Sequence, residues 1–337
     1  MMRKTAIAAL AAWLTTGTAS AQYIETKTDD PFQHLNVGVT MGTTGLGVEL
    51  SSPLTKTIHV RTGFEYMPRW EKTLTFDLQT FSTEGVQLES TFDRMADLLE
   101  SFTGYRASPN VDMIAKPTMW NFKLLFDIYP FRNKHWHVTA GFHWGPSKIG
   151  EAINSIDVAP SLVAANMYNH LYHLAYEDKY NDNLIPMFVF QNGTEVYLEP
   201  YMRDAVLSTG HLAIHLGDYT HDVTDEEGNV VHKKGDAYLM TPDENSTVSA
   251  KCTTNSFKPY LGFGYDGRLA KKDPTWHIGF DAGLMFWGGT PNVVTHDGTS
   301  LTHDVSGIDN RVGDYVKLIK GVKVFPVVNL RITKQIF

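Results

Sequence analysis

The stretch Thr275–Trp287, TWHIGFDAGLMFW, decides how this sequence is read. Its even positions are Trp276, Ile278, Phe280, Ala282, Leu284 and Phe286, all apolar. Its odd positions include His277, Gly279, Asp281 and Gly283, which are small or ionisable. Alternate side chains of a strand point to opposite faces, so one face of this strand is oily from end to end. The fold follows from which solvent receives that face.

The same alternation recurs along the chain. Trp136–Trp144 sets Trp136, Val138, Ala140, Phe142 and Trp144 against His137, Thr139, Gly141 and His143. Trp120–Phe131 sets Trp120, Phe122, Leu124, Phe126 and Ile128 against Asn121, Lys123, Asp127 and Tyr129. Phe257–Arg268 places Phe257, Leu261, Phe263 and Tyr265 opposite Lys258, Asp266 and Arg268. Ile58–Pro68 and Thr73–Gln79 repeat the pattern with Val60, Phe64, Leu74 and Phe76 on the apolar side. Any half-buried antiparallel sheet alternates in this way. Two details favour a barrel surrounded by lipid. The apolar files end in aromatic residues (Trp120, Trp136, Trp144, Trp276 and Phe286), as expected of interfacial girdles. The opposite files mix glycine with charges of both signs, which suits a narrow lumen. Lipid therefore takes the six apolar groups of the first stretch, and Asp281 points inward.

The ends and the composition agree with export. Met1-Met2-Arg3-Lys4 is a basic start, Thr5–Leu14 a short apolar run, and Ala19-Ser20-Ala21 a small-residue cleavage site. This order reads as a signal peptide over 1–21, because the apolar run is too short to span a bilayer. The chain has 337 residues and a formal net charge of −8. An acidic chain with no Lys/Arg block gives no reason to expect nucleic acid. Its single cysteine, Cys252, excludes an intramolecular disulfide. No later apolar run is long enough for a transmembrane helix.

Eight strands are expected, near 35–51, 57–68, 72–90, 117–131, 135–148, 256–268, 275–288 and 324–337. Short links such as 132–134 and 270–274 then become periplasmic turns, and 91–116, 149–255 and 289–323 lie outside. The first strand changes its outward file from Leu35, Val37, Val39 and Met41 to Leu46, Val48 and Leu50 across Gly42-Thr43-Thr44-Gly45. A bulge there preserves the count and a tight turn changes it. An all-β antiparallel transmembrane barrel, residues 22–337 with an extramembrane insertion at 149–255, is the expected fold. Its lumen would hold Glu49, Arg61, Glu65, Lys123, Asp127, Lys258, Asp266, Arg268, Asp281 and Arg331 as a polar network.

GTTGLGVEL (42–50), LLFDIYPF (124–131) with HVTAGFHWG (137–145), and FKPYLGFGY (257–265) carry a family resemblance. FDAGLMFWGGTPNV (280–293) and FPVVNL (325–330) with Phe337 complete it. These segments resemble small outer-membrane β-barrel proteins of Gram-negative bacteria, of the OmpA/OmpW-like size class. The resemblance implies outer-membrane lipid and the barrel-assembly machinery as partners, the latter reading an aromatic-ended last strand. Here Phe337 falls on the opposite parity from Val328, Leu330 and Ile332, a departure from that signal. The family offers no shared chemistry to transfer.

Within the insertion, Val163, Met167, Leu171 and Leu174 follow helical spacing, and HLAIHLGDYTHDV with GNVVHKKGDAYLM reads as a β-hairpin. Short helices are expected at 94–102 and 305–320. His170 and His173 lie one helical turn apart, but no further ligands complete a metal site. Asn192-Gly193-Thr194 and Asn245-Ser246-Thr247 are loop signals. No catalytic, metal or cofactor residue is assigned and no ligand is identified. A noncatalytic barrel with a structural, surface-interaction or narrow-channel role leads. An outer-membrane hydrolase or acyltransferase using His143 and Ser147 is one alternative, and a soluble exported ligand-binding β protein is another.

Overall fold

The computed structural model describes residues 32–88, 92–104, 106–131, 134–180, 184–270, 273–308 and 310–337. The signal-peptide expectation, 1–21, lies outside the described residues. The chain begins with a hairpin, β1 (Asn36–Gly42) and β2 (Gly45–Pro53), turned at Thr43-Thr44. Gly45 holds φ +107°, a conformation L side chains rarely adopt. β3 (Ile58–Tyr66) is followed by β4 (Lys72–Phe81), a helix (Phe92–Thr103), β5 (Asn110–Pro117) and β6 (Trp120–Ile128). β7 (Trp136–Trp144) leads into β8 (Lys148–Asn154) and the helix Ala159–Tyr180. A small hairpin, β9 (Phe188–Val189) with β10 (Glu195–Val196), precedes the helix Pro200–Thr209. β11 (His211–Tyr219), β12 (Val223–Thr224), β13 (Val230–His232) and β14 (Ala237–Met240) follow. β15 (Ser249–Thr253) returns to β16 (Phe257–Arg268), and β17 (Trp276–Phe286) leaves toward β18 (Asn292–Thr295). β19 (Val305–Ser306) and the helix Asn310–Gly321 precede β20 (Val324–Gln335).

Eight strands close an antiparallel barrel in the order β1-β2-β3-β6-β7-β16-β17-β20, and β20 pairs with β1 from Asn36↔Gln335 to Gly42↔Asn329. A second sheet runs β14-β11-β4-β5-β8-β15-β18. Its members β4, β5, β8, β15 and β18 stand in the same order as the barrel strands β3, β6, β7, β16 and β17 that they adjoin. Pairing persists through the junctions. Thr118 N donates to Ile149 O at 2.9 Å, Gly145 N to Ser256 O at 3.1 Å, and Asn255 N to Trp287 O at 3.2 Å. The second sheet is thus the barrel wall continued beyond its rim on one side. The three long links, 67–119, 145–256 and 287–323, all leave from that end.

The strand count agrees with the sequence expectation, but its members do not. Residues 35–51 form two strands rather than one bulged strand, because Gly42-Thr43-Thr44-Gly45 makes a hairpin turn. Residues 72–90, expected in the wall, instead supply β4 of the second sheet. Helices rather than solvent cover part of this cap sheet. Leu78, Val111, Met113, Leu212 and Ile214 pack with Met95, Leu99, Leu162, Ala165 and Tyr168 in one buried cluster. The 22-residue helix Ala159–Tyr180 buries Leu162, Ala165, Tyr168, Tyr172 and Ala175. The expected stripe holds in its second half, where Leu174 is buried and Leu171 half-buried, but not in its first, where Val163 and Met167 are exposed. Small alanines, not the larger Val163 and Met167, let this helix approach the sheet. Asn169 fixes the docking: its Nδ2 donates to Leu212 O at 2.8 Å, and its Oδ1 accepts from Leu212 N at 2.7 Å. The hairpin expected from the second half of the insertion exists as β11 paired with β14. The loop signals at 192–194 and 245–247 both lie at turns, where Thr194 N donates to Asn192 Oδ1 and Asp243 accepts from Asn245 N and Thr247 N.

Candidate functional site

The barrel has the polarity of a folded protein turned inside out. Val37, Val39, Met41, Leu46, Val48, Leu50, Phe64, Leu261, Phe263, Leu284, Val328 and Leu330 are exposed on its outer wall. Glu49, Arg61, Glu65, Lys123, Asp127, Lys258, Asp281 and Arg331 are buried within it. The pleat alone produces this sorting, because each charged residue has the parity opposite to its apolar neighbours. Asp266 and Arg268 are half-buried toward the short-turn end.

The aromatic residues form two rims. Trp120 and Trp144 meet edge to face at 6.1 Å near the long-link end, and Trp120 stacks on Phe64 at 5.6 Å. Phe286 ends β17 at the same rim and is exposed. At the other rim, Trp136 packs against Tyr265 at 5.1 Å, and Lys334 Nζ lies 5.3 Å from the Trp276 ring centre. Trp136 and Trp144 end the same nine-residue strand. At ~3.3 Å per residue the two rims are about 26 Å apart along a strand.

Inside, the charges cross-link the strands. Arg61 Nε lies 2.6 Å from Asp127 Oδ2, and Arg61 Nη1 and Nη2 each donate to Asp281 at 3.0 Å. Arg331 Nη1 donates to Asp281 Oδ2 at 3.0 Å, and its Nη2 donates to Asp266 Oδ1 at 2.5 Å. Lys123 Nζ bridges Glu49 at 2.8 Å and Glu65 at 2.9 Å. These contacts join β2, β3, β6, β16, β17 and β20 across the lumen. Lys258 differs: its Nζ donates at longer range to Asn121 Oδ1, Pro146 O and Ser256 O, at 3.3, 3.5 and 3.4 Å. Glycines provide the space for these contacts. A Cβ on Gly279 would lie 2.3 Å from Arg331 Nε, and one on Gly264 would lie 2.6 Å from Asp281 Oδ1.

Several participants lay outside the expected network. His137 Nε2 stands 3.1 Å from Asp281 Oδ1, Thr139 donates to Asp127 at 2.7 Å, and Tyr129 donates to Asp266 at 2.5 Å. Their inward parity was visible in the strand pattern, but their partners were not. An apolar plug was also missed. At the long-link end the inward file changes character, and Met119, Leu125, Tyr260, Met285, Trp287 and Val327 pack as a second cluster. Trp287 stacks on Phe325 at 5.2 Å, where an interplanar angle of 17° makes a flat lid. His143 and Ser147 do not form a dyad. His143 is buried with its Nδ1 3.6 Å from Glu65, whereas Ser147 is exposed beyond the strand end. His170 and His173 are both exposed.

The opposite end of the lumen is open. A cavity of about 200 Å³ there is walled by Asp127, Asp266, Arg268, His277 and Arg331, with His59 and Lys134 at its edge. Thr333 and Gln335 of β20 complete its wall.

Two solved structures are distantly similar. CarO2 of Acinetobacter baumannii is 12% identical, with 91% of this chain and 100% of that chain covered and a TM-score of 0.37. CarO of Acinetobacter baumannii is 13% identical, with 90% and 97% covered and a TM-score of 0.34. No protein-family model and no curated protein matches the chain. The fold therefore stands on its own geometry: a closed eight-stranded antiparallel barrel, apolar outside and charged inside.

Proposed function

We propose that this chain is an integral outer-membrane β-barrel that does not conduct solutes, is noncatalytic, and holds its β-rich cap at the cell surface for interaction. The observation that carries the closed lumen is the ionic lattice around Arg61, with the Met285–Trp287 plug above it. Eight strands leave an interior that side chains fill, and here they fill it twice over, once with ion pairs and once with apolar groups. Membrane residence is supported by the outer wall. In water its contiguous apolar surface would far exceed the few hundred Å² that soluble monomers tolerate. Outer-membrane lipid and the barrel-assembly machinery are the partners this reading requires. Long links face outward in such barrels, which puts the cap outside the cell and the short turns in the periplasm.

Planar-bilayer recording of the refolded full chain tests the closed lumen. The expected trace stays at background; discrete conductance steps would overturn it and favour a narrow channel. Gel mobility tests the barrel in the membrane. The unheated sample should migrate away from the boiled one, and a membrane fraction should release the protein only to detergent. Release by salt or osmotic shock would overturn the membrane reading in favour of a soluble exported protein.

A further inference from the structure

We infer that the outward face of the cap sheet, just beyond the Trp120–Trp144 rim, binds the headgroup of a phosphorylated glycolipid through Lys116, Lys148 and Lys251. The site rests on the membrane reading above, with the cap outside, and adds a lipid of stated chemistry to it. Register assembles it. Ala152 of β8 packs against the cap core, so its neighbour Glu151 points outward. Lys116 of β5 pairs with Glu151 on one side and Lys251 of β15 on the other. The three form one row on the outer face, about 10 Å across at ~4.8 Å between strands.

Lys148, which opens β8, turns to the same carboxylate. Its Nζ donates to Glu151 Oε2 at 2.7 Å, while Lys116 Nζ lies 3.4 Å from Glu151 Oε1. Lys251 is exposed and, among the described residues, has no ion-pair partner. Three ammonium groups therefore surround one carboxylate, on a chain whose formal net charge is −8. On the same face Asp112, four residues along β5 from Lys116, is committed elsewhere: it accepts from Thr75 Oγ1 at 2.6 Å. The row keeps an excess of positive charge that a phosphate group would neutralise.

Position selects the occupant. Lys116 lies four residues before Trp120, and Lys148 four residues after Trp144. At ~3.3 Å per residue the row is at most about 13 Å along the strands from the aromatic rim. Thr118 fills the interval, donating its Oγ1 to Lys148 O at 3.3 Å. The row is thus continuous with a girdle of the kind that sits at the membrane interface. An ammonium group recognises phosphate as a point charge. On this open outer face a free phosphate would keep most of its water, whereas a lipid whose acyl chains lie against Phe122 and Trp144 is already held beside the lysines.

Native mass spectrometry of the full chain in neutral detergent tests the site, with diphosphorylated lipid A, its dephosphorylated counterpart and inorganic phosphate as probes. A retained adduct is expected with the diphosphorylated lipid only. Combined Lys148→Gln and Lys251→Gln should weaken it about tenfold or more. Glu151→Gln removes the counter-charge and should tighten it. Lys233→Gln with Lys234→Gln, between β13 and β14, should leave it unchanged. Heat-dependent gel mobility identifies variants that still fold; if the Lys148/Lys251 variant does not, Lys251→Gln alone should weaken binding in the same direction. Equal retention of the dephosphorylated lipid would overturn the assignment. So would inorganic phosphate binding as tightly as the lipid, or unchanged retention in a folded lysine variant. A protein that shifts on heating and needs detergent for extraction, yet holds no phosphorylated lipid, fails only here, so the two readings are separable.

Discussion

In the barrel, Arg61, Lys123 and Arg331 are inside while Val39, Val48 and Phe263 are outside; in the cap, Leu162, Leu212 and Tyr238 are inside while Lys179 and Asp204 are outside. The two regions share one hydrogen-bonded wall, since β5 adjoins β6 and β8 adjoins β7. Polarity therefore inverts along nearly continuous strands, and secondary structure does not decide it. The inversion takes place at the plug. There the inward file of β17 passes from Asp281 to Met285 and Trp287. Strand pairing satisfies the backbone in both regions, and the medium outside selects the side chains. Where the outer wall is apolar, ion pairs are kept within; where the outer surface is polar, apolar groups take their place.

The largest expected effect breaks the ionic half. Arg61→Ala leaves Asp127 and Asp281 facing each other without that guanidinium. Removing one member of a buried pair costs about 3–5 kcal/mol, read as a shift in the urea midpoint of the barrel in lipid vesicles. An unchanged midpoint would mean that water, not protein, fills the lumen. The apolar half is tested by Leu162→Ala. Truncating a fully buried leucine costs about 2–5 kcal/mol. That loss should appear as earlier proteolysis or unfolding of the cap while the unheated barrel band persists. Loss of both together would show that cap and barrel unfold as one unit.

A third test exchanges the media. Phe263→Arg on the outer wall should cost about 2–4 kcal/mol if it lies near the bilayer midplane. Val163→Arg on the exposed face of the cap helix should stay within about 0.5 kcal/mol. Vesicle unfolding measures the first and thermal unfolding of the cap the second; equal effects would erase the difference between the two surfaces. The smallest effect is chemical. Burial in β15 pushes the Cys252 thiol up to about 11, so about one molecule in a thousand is thiolate at pH 8. Alkylation by iodoacetamide at that pH should be slow, should quicken as the pH rises toward 11, and should become fast in urea. A rate at pH 8 equal to that of a free thiol would contradict the packing of β15.

Much of the wall was legible because parity is a local property. Outward and inward files of β2, β3, β6 and β17 can be read by alternate counting, and Glu49, Arg61, Lys123 and Asp281 lie on the inward one. Two strands were misread for definite reasons. A bulge and a two-residue hairpin both flip the outward file, so Val37–Met41 followed by Leu46–Leu50 fits either. An alternating strand also looks the same whether lipid or a helix covers it, so β4 passed for wall. The pairing within the lumen could not be read at all. Arg61 and Asp281 are 220 residues apart in sequence, and only the closure of the barrel brings them together. The helix stripe was half misread because spacing admits more than one face, and the choice of Ala164, Ala165 and Ala175 over Val163 depends on how closely the sheet approaches.

The bonded junction between wall and cap has a mechanical consequence. A domain on a flexible tether swings before it resists, and its anchor feels nothing until the tether is taut. Here β5 passes to β6, and β15 to β16, through links too short to give slack, with ladder bonds such as Thr118 to Ile149 bracing them sideways. A pull on the cap would be shared at once among five neighbouring strands as shear. The cap behaves less like a flag on a string than like the upper courses of a single tower.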